Sequence, residues 1–98
     1  MLTSADLAAF IAREGIAAEI IPLPTHTPTV ETAAQALGVD TGQVAKSLLF
    51  LVDGCPYLVI GYGTGRVDVR KIAAHFGVAR KRVKLADADT VLAITGYL

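Results

Sequence analysis

The segment "VAKSLLFLVDGCPYLVIGYG", residues 44–63, contains two β-rich runs joined around Asp53 and Gly54. An Asp-Gly pair favours the positive φ angles of tight hairpin turns, so the segment predicts an antiparallel hairpin. Side chains alternate between the two faces of a strand. One face of the first run is therefore predicted to carry Val44, Lys46, Leu48, Phe50 and Val52, so the lysine lies in line with core residues.

Four helices are predicted around this hairpin, because apolar residues recur at helical spacing between capping residues and glycines. The first covers about residues 4–14, and the others follow the caps Thr29, Asp68 and Asp87. Two more strands are predicted at "AEIIPL" (18–23) and "KRVKL" (81–85). Because strands and helices do not alternate regularly, the predicted fold class is α+β, with a mixed, mostly antiparallel β-sheet and packed helices.

The length and composition of the chain indicate one soluble domain. Its 98 residues are 53% hydrophobic and 18% charged, and a chain of this length is expected to build a single core over residues 1–98. No charge-free run approaches the roughly 18 residues of a transmembrane helix, so no membrane partner is expected. The N-terminus does not resemble a signal peptide, which predicts a cytoplasmic location.

The formal net charge of zero conceals two oppositely charged segments. Residues 1–45 hold one arginine against five carboxylates, whereas residues 66–84 hold seven lysines and arginines against Asp68 alone. A basic segment of this density suits contact with phosphates. The alternative is that these side chains form the solvated faces of a helix and a strand.

The residues that commonly bind metals are few. Cys55 is the only cysteine, which excludes an intrachain disulfide, and the two histidines, His26 and His75, show no recognisable metal-site spacing with carboxylates. We therefore expect neither a metal nor another cofactor.

Lys46 is the residue of the hairpin that most needs an explanation. A desolvated ammonium is costly unless it is paired, yet this lysine shares a strand face with core residues. It could lie near a strand end, with its methylenes over apolar neighbours and its ammonium in water. Alternatively, the ammonium lies at the mouth of a pocket floored by Leu48 and Phe50 and binds an anionic or carbonyl oxygen.

Three motifs resemble a known family. The segments "HTPTVETAAQALGV" (26–39), "VAKSLLFLVDG" (44–54) and "RVDVRKIAAHFG" (66–77), in this order and spacing, are similar to the YbaK and prolyl-tRNA-synthetase-associated domain family. The resemblance runs from about Thr25 to the C-terminus. Its most specific motif, a lysine followed by Ser or Thr and an apolar strand, falls on Lys46 and Ser47.

The resemblance implies a trans-editing deacylase that acts in translation fidelity. Such a hydrolase cleaves the ester of a mischarged tRNA, with alanine or cysteine on the proline tRNA as usual cases, and uses no metal. The implied partners are the acceptor end of aminoacyl-tRNA and prolyl-tRNA synthetase. The implied catalytic residue is Lys46, which would hold the terminal phosphate or the ester carbonyl region. This chemistry requires positioning and oxyanion stabilisation more than a strong nucleophile.

Further substrate-binding residues are predicted around Lys46. The family places the loop with His26 beside its lysine, so His26 is expected to line the amino-acid pocket rather than to act as a general base. Leu48 and Phe50 would form the pocket floor. Ser47 points to the opposite face of a regular strand, where its hydroxyl bonds to backbone, or it reaches substrate if the strand is bulged.

The stretch after the second strand supplies the remaining predicted contacts. The backbone at Gly61 and Gly63 could approach the ligand closely, or it could form a flexible turn between strand and helix. Arg66, Arg70 and Lys71 are predicted to meet the acceptor stem through phosphate and sugar. His75 lies on the same helix and is expected to be an ordinary surface or boundary residue.

Family members normally continue after the "TGY" that here occupies residues 95–97, into a loop and strands that close the pocket. The chain is therefore expected to correspond to the N-terminal two-thirds of a YbaK-like editing domain. An alternative function follows, a non-catalytic tRNA-binding or protein-interaction module with an incomplete pocket. An unpaired sheet edge would also favour a homodimer.

Overall fold

The computed structural model describes residues 1–23 and 26–97. The helices are α1 (Ser4–Glu14), α2 (Val30–Leu37), α3 (Val69–Phe76) and α4 (Ala88–Thr95), and the strands are β1 (Ala45–Val52), β2 (Cys55–Tyr62) and β3 (Val83–Leu85). The described residues form two compact units, the first from residues 1–23 and 87–97 and the second from residues 26–86. Within these described ranges, no helix is both long and apolar enough to cross a membrane. The single domain over residues 1–98 stays a prediction.

The first unit contains α1 and α4; α1 begins where it was predicted, and α4 begins after the predicted cap Asp87. The Thr3 amide donates to Oδ2 of Asp6 at 2.7 Å, and the Thr3 hydroxyl donates to the same oxygen at 3.0 Å. These bonds lower the pKa of Asp6, the backbone bond most. At α4, the Thr90 amide donates to Oδ1 of Asp87 at 2.8 Å. Helix ends of this kind are set by local sequence.

The predicted strand at residues 18–23 is wrong. The chain has no regular secondary structure there, and the sheet of the described residues contains β1, β2 and β3 only. The Ala18 amide donates to the Ile16 carbonyl at 2.9 Å, which closes a local turn. A β-prone run becomes a strand only where another strand offers a partner, and Pro22 lacks a donor for such a ladder.

The sheet of the second unit is built on the predicted hairpin. Its order is β2-β1-β3, and both neighbouring pairs are antiparallel. Asp53 and Gly54 form the turn with φ angles of +50° and +82°. The third strand is shorter than predicted, because Arg80–Arg82 form a 3-10 helix and the strand begins at Val83. The predicted α+β class is confirmed.

Helices α2 and α3 belong to the same unit as the sheet. The Thr32 amide donates to the Thr29 hydroxyl at 3.1 Å at the start of α2, and the Arg70 amide donates to Oδ1 of Asp68 at 3.0 Å at the start of α3. Both helices end, as predicted, at glycines in the left-handed region. The main core cluster of this unit consists of Phe50, Val52, Ile72, Ala73 and Val83.

This core fixes the orientation of β1. Phe50 and Val52 are each 4% exposed and pack against residues of α3 and β3. Because side chains alternate, Leu48 and Lys46 continue along the same face toward the beginning of the strand. The burial of Phe50 and Val52 near the end of β1 therefore determines the face of the strand on which Lys46 lies.

Candidate functional site

Lys46 is half-buried, and its position is set by contacts with β2 and the following loop. It lies directly opposite Gly61 in the hairpin register. A Cβ at Gly61 would lie 3.6 Å from Cε and 3.9 Å from Cγ of the lysine, so the stem passes over the glycine. The Nζ atom donates a hydrogen bond of 2.9 Å to the Gly65 carbonyl. The ammonium is thus held at a defined point by the chain.

The charge of Lys46 is not neutralised by a neighbouring carboxylate within the described ranges. The two salt bridges found there are Arg13–Glu14 and Arg82–Asp53, neither of which involves this lysine. A carbonyl partner satisfies one donor of the ammonium and leaves its charge intact. Two donors and the full charge are therefore available to an anionic or carbonyl oxygen.

A cavity of about 520 Å³, which we term the Lys46 cavity, surrounds this side chain. Its walls come from the loop before α2, the first turn of α2, the start of β1 and the loop after β2. The lining residues are Thr27, Pro28, Thr29, Val30, Glu31, Ala33, Val44, Ala45, Lys46, Leu48, Gly63, Thr64 and Arg66. The cavity combines an apolar base at Leu48 and Val44 with two cations and one carboxylate.

A second, larger cavity of about 910 Å³ lies between the end of β2 and α3, and we term it the β2–α3 cavity. It shares Gly63, Thr64 and Arg66 with the Lys46 cavity. Gly63 is buried, with φ of +67°, and its amide donates to the Val44 carbonyl at 2.9 Å. The shared loop is therefore anchored to the residue that immediately precedes β1.

Six of the ten predicted site residues, Lys46 and five others, line one or both cavities. Leu48 lines the Lys46 cavity, Gly61 and Lys71 line the β2–α3 cavity, and Gly63 and Arg66 line both. The structure thus brings the predicted catalytic lysine together with the glycine-rich loop and with part of the predicted RNA-binding set.

The other predicted residues lie elsewhere. Phe50 is in the core cluster, and Ser47 is exposed on the opposite face of β1, paired with Ile60. His26 is exposed and precedes the first lining residue, Thr27. Arg70 is exposed on α3 outside both linings. Their contacts with substrate stay predictions.

Sequence reasoning missed three polar residues of the Lys46 cavity, namely Thr27, Glu31 and Thr64. Glu31 follows the N-cap of α2 by two positions, where an acidic residue is expected for helix stability alone. Its proximity to the cavity depends on how α2 packs beside β1. The sequence did contain a signal for them. Thr27 and Thr64 each directly follow a predicted site residue, and Glu31 lies two residues after a helix cap.

The family of the chain is decided by comparison with known proteins. The model of the aminoacyl-tRNA editing domain matches residues 24–98. The chain belongs to this family. The editing domain is 45% identical over 73 residues to the proline–tRNA ligase of Streptomyces coelicolor, a match that covers 74% of this chain and 12% of the ligase. It is also 30% identical over 80 residues to the uncharacterized protein YwhH of Bacillus subtilis, covering 81% and 49% of the two chains.

Solved structures agree with this assignment. The crystal structure of a proposed trans-editing enzyme for prolyl tRNA synthetase superposes with a TM-score of 0.84 at 28% identity, covering 99% of the editing domain and 62% of that protein. The editing domain thus spans only part of the length of these relatives. The family predicted from the three motifs is confirmed, and the comparisons support a role in tRNA editing.

Proposed function

We propose that the chain hydrolyses the ester of mischarged aminoacyl-tRNA, with a small amino acid on the proline tRNA as substrate and Lys46 as the catalytic residue. The observation that carries this proposal is the Lys46 ammonium, held at 2.9 Å from the Gly65 carbonyl beside a cavity and free of a carboxylate partner in the described chain. The similarity to a proline–tRNA ligase favours the proline tRNA and prolyl-tRNA synthetase as partners. Such a reaction would take place in the cytoplasm.

In the proposed reaction, water attacks the carbonyl carbon of the ester and the bond between that carbon and the ribose oxygen breaks. One proton of the water is transferred to the ribose oxygen, and the carboxylic acid that forms releases the other to solvent, so the amino acid leaves as a carboxylate. Lys46 donates to the carbonyl oxygen, on which negative charge develops in the transition state. Its fixed position matters, because a donor that is already oriented needs no reorganisation during the reaction.

Glu31 gives the cavity a second polar function. An aminoacyl ester carries an α-ammonium a short distance from its carbonyl, and the Lys46 cavity holds a carboxylate and an ammonium that form no salt bridge with each other. We propose that Glu31 binds the α-ammonium while Lys46 binds the carbonyl oxygen. Opposite charges placed in this way match the polarity of the substrate.

The test of the reaction is deacylation of alanyl- and cysteinyl-tRNA of the proline acceptor, with prolyl-tRNA for comparison. We expect Lys46→Ala to reduce the rate at least 100-fold, because a positioned oxyanion donor typically contributes 10² to 10³ in kcat. Lys84→Ala is the matched control, since this lysine is exposed on β3 outside both cavities. A loss confined to KM would assign Lys46 to phosphate binding instead.

The alternative function, tRNA binding without ester cleavage, is separated by the same samples. If a folded chain binds tRNA in a salt-sensitive way while the ester is lost only at the buffer rate, the chain is a binding module and not a hydrolase.

For Glu31, the informative substrate is an N-acetylated aminoacyl-tRNA, which lacks the ammonium. Glu31→Gln should slow cleavage of the free amino substrate and leave the acetylated one unaffected, whereas equal slowing of both would exclude an ammonium contact.

A further inference from the structure

The β2–α3 cavity has the chemistry of a nucleotide site. Its apolar wall includes Val59, Ile72 and the ring of Phe76. The Phe76 ring lies 4.4 Å from the Tyr57 ring and 5.0 Å from the His75 ring, centroid to centroid, so it belongs to a short aromatic array. Aromatic rings beside cations are what proteins use to bind single-stranded nucleic acid, because every base can stack.

Cations border the same cavity. Arg66 and Lys71 line it, and neither forms a salt bridge with any residue of 1–23 or 26–97. One carboxylate, that of Asp68, also lines the cavity, and it accepts the Arg70 amide at 3.0 Å as the cap of α3. Two cations against one carboxylate leave a positive balance that favours a phosphate.

The two cavities are joined through one loop. Gly63, Thr64 and Arg66 line both, so the two cavities adjoin at this loop. The cavity of about 910 Å³ is within the range of pockets that hold ligands the size of a nucleotide. A phosphodiester that links two nucleotides would lie where the guanidinium of Arg66 can reach it, which is bidentate chemistry suited to arginine.

We propose that the β2–α3 cavity binds the nucleotide that immediately precedes the esterified adenosine. This inference rests on the proposed function, because it takes the Lys46 cavity as the site of the terminal aminoacyl group. The base contacts the wall formed by Val59 and Phe76, Lys71 faces its phosphate, and Arg66 binds the phosphodiester between the two nucleotides. The two cavities together thus bind the last two nucleotides of a single strand rather than a single nucleoside.

The test compares two probes that carry no amino acid, the trinucleotide CCA, which is the 3′ end common to tRNAs, and adenosine monophosphate. Titration of the whole chain, followed by NMR, should show at least tenfold tighter binding of the trinucleotide at equal salt concentration. Gly42→Trp should abolish this advantage by filling the cavity. Gly42 lines the β2–α3 cavity but not the Lys46 cavity, and a Cβ placed on it meets no atom within 4 Å.

Lys71→Ala provides a second, independent variant, because its side chain is exposed and its loss leaves the core intact. It should reduce the trinucleotide advantage at least threefold, while Lys84→Ala should retain it. The inference is overturned if the trinucleotide binds no more tightly than the mononucleotide, or if folded Gly42→Trp and Lys71→Ala both keep the full advantage. Because binding is measured without ester cleavage, a failure of the proposed hydrolysis is recognised separately by the deacylation assay.

Discussion

Lys46 and Gly61 are direct partners across the β1–β2 hairpin, and the glycine leaves the space through which the lysine stem passes. A Cβ at position 61 would lie 3.6 Å from Cε of Lys46 and 3.7 Å from Cγ2 of Val67, which is ordinary contact. One methyl group therefore fits, whereas a branched side chain has to displace the lysine. The residue at position 61 of β2 therefore influences where the ammonium of Lys46 on β1 lies.

The first prediction concerns this pair. Gly61→Val should reduce deacylation at least tenfold by moving Nζ from its position beside the Gly65 carbonyl, while the chain stays folded. Gly61→Ala should fall between Gly61→Val and the parent, because its methyl group meets the stem without overlap. Rates and circular dichroism of both variants check this. Equal rates for the valine and alanine variants would show that the stem does not need the space above position 61.

The backbone conformation of Gly63 predicts that replacing this glycine lowers the stability of the chain. Its φ of +67° lies in the left-handed region, where an L-residue pays about 1–2 kcal/mol. Gly63→Ala should lower the free energy of unfolding by about this amount, measured by urea denaturation. Gly42→Ala is the matched control, since position 42 has open space and no positive φ, and its effect should stay within about 0.5 kcal/mol. A similar loss of unfolding free energy in both variants would show that the left-handed φ angle of Gly63 is not its cause.

The N-terminal cap of α1 predicts a dependence of stability on pH. The hydrogen bonds that the Thr3 amide and hydroxyl donate to Asp6 lower the pKa of this carboxyl. Its stabilising contribution is therefore fully present above the unfolded pKa of about 3.9 and is lost as the pH falls through the lower folded value. Asp6→Asn should be less stable than the parent at neutral pH, and the difference should narrow in acid.

Urea unfolding of the parent and of Asp6→Asn at a series of pH values measures this difference. Glu19→Gln serves as the control, because Glu19 lies in the irregular segment after α1 and does not cap a helix. A stability difference between the parent and Asp6→Asn that stays constant from neutral to strongly acidic solution would contradict the assigned cap.

Arg70 tests the predicted contact with the acceptor stem. The side chain is exposed on α3, so its removal should not disturb the core. Arg70→Ala should weaken binding of tRNA and reduce the slope of log K against log salt by about 1, as expected for one lost phosphate contact. Arg13→Ala, on the acidic first part of the chain, should leave the slope unchanged. An unaltered slope for Arg70→Ala would remove this residue from the interface.

Local sequence was sufficient to predict most of the secondary structure. Caps such as Thr29 and Asp68 and terminating glycines act within a few residues, so four helices could be located before their packing was known. The Asp53-Gly54 turn determined the hairpin in the same way. Residues 18–23 lacked such a constraint, because strand formation there depended on a partner that the local sequence does not specify.

The candidate site was less predictable because it is formed by distant segments. The alternation of β1 was enough to place Lys46 on the core-facing side. The Gly65 carbonyl that holds its Nζ lies 19 residues away, and Glu31 reaches the same cavity from α2. Phe50 shows the opposite case, since its face was predicted correctly while packing against α3 and β3 placed it in the core.

The two-residue turn at Asp53 and Gly54 also limits how this sequence can change over time. The turn fixes the count of residues between Lys46 and its partner across the hairpin, and side chains on β2 alternate between faces. A single residue inserted in the turn would replace the glycine beneath the lysine by Ile60, and a single deletion would replace it by Tyr62. We therefore expect insertions and deletions to be purged from this turn in functional descendants, even though exposed hairpin tips are elsewhere the places where proteins tolerate them best.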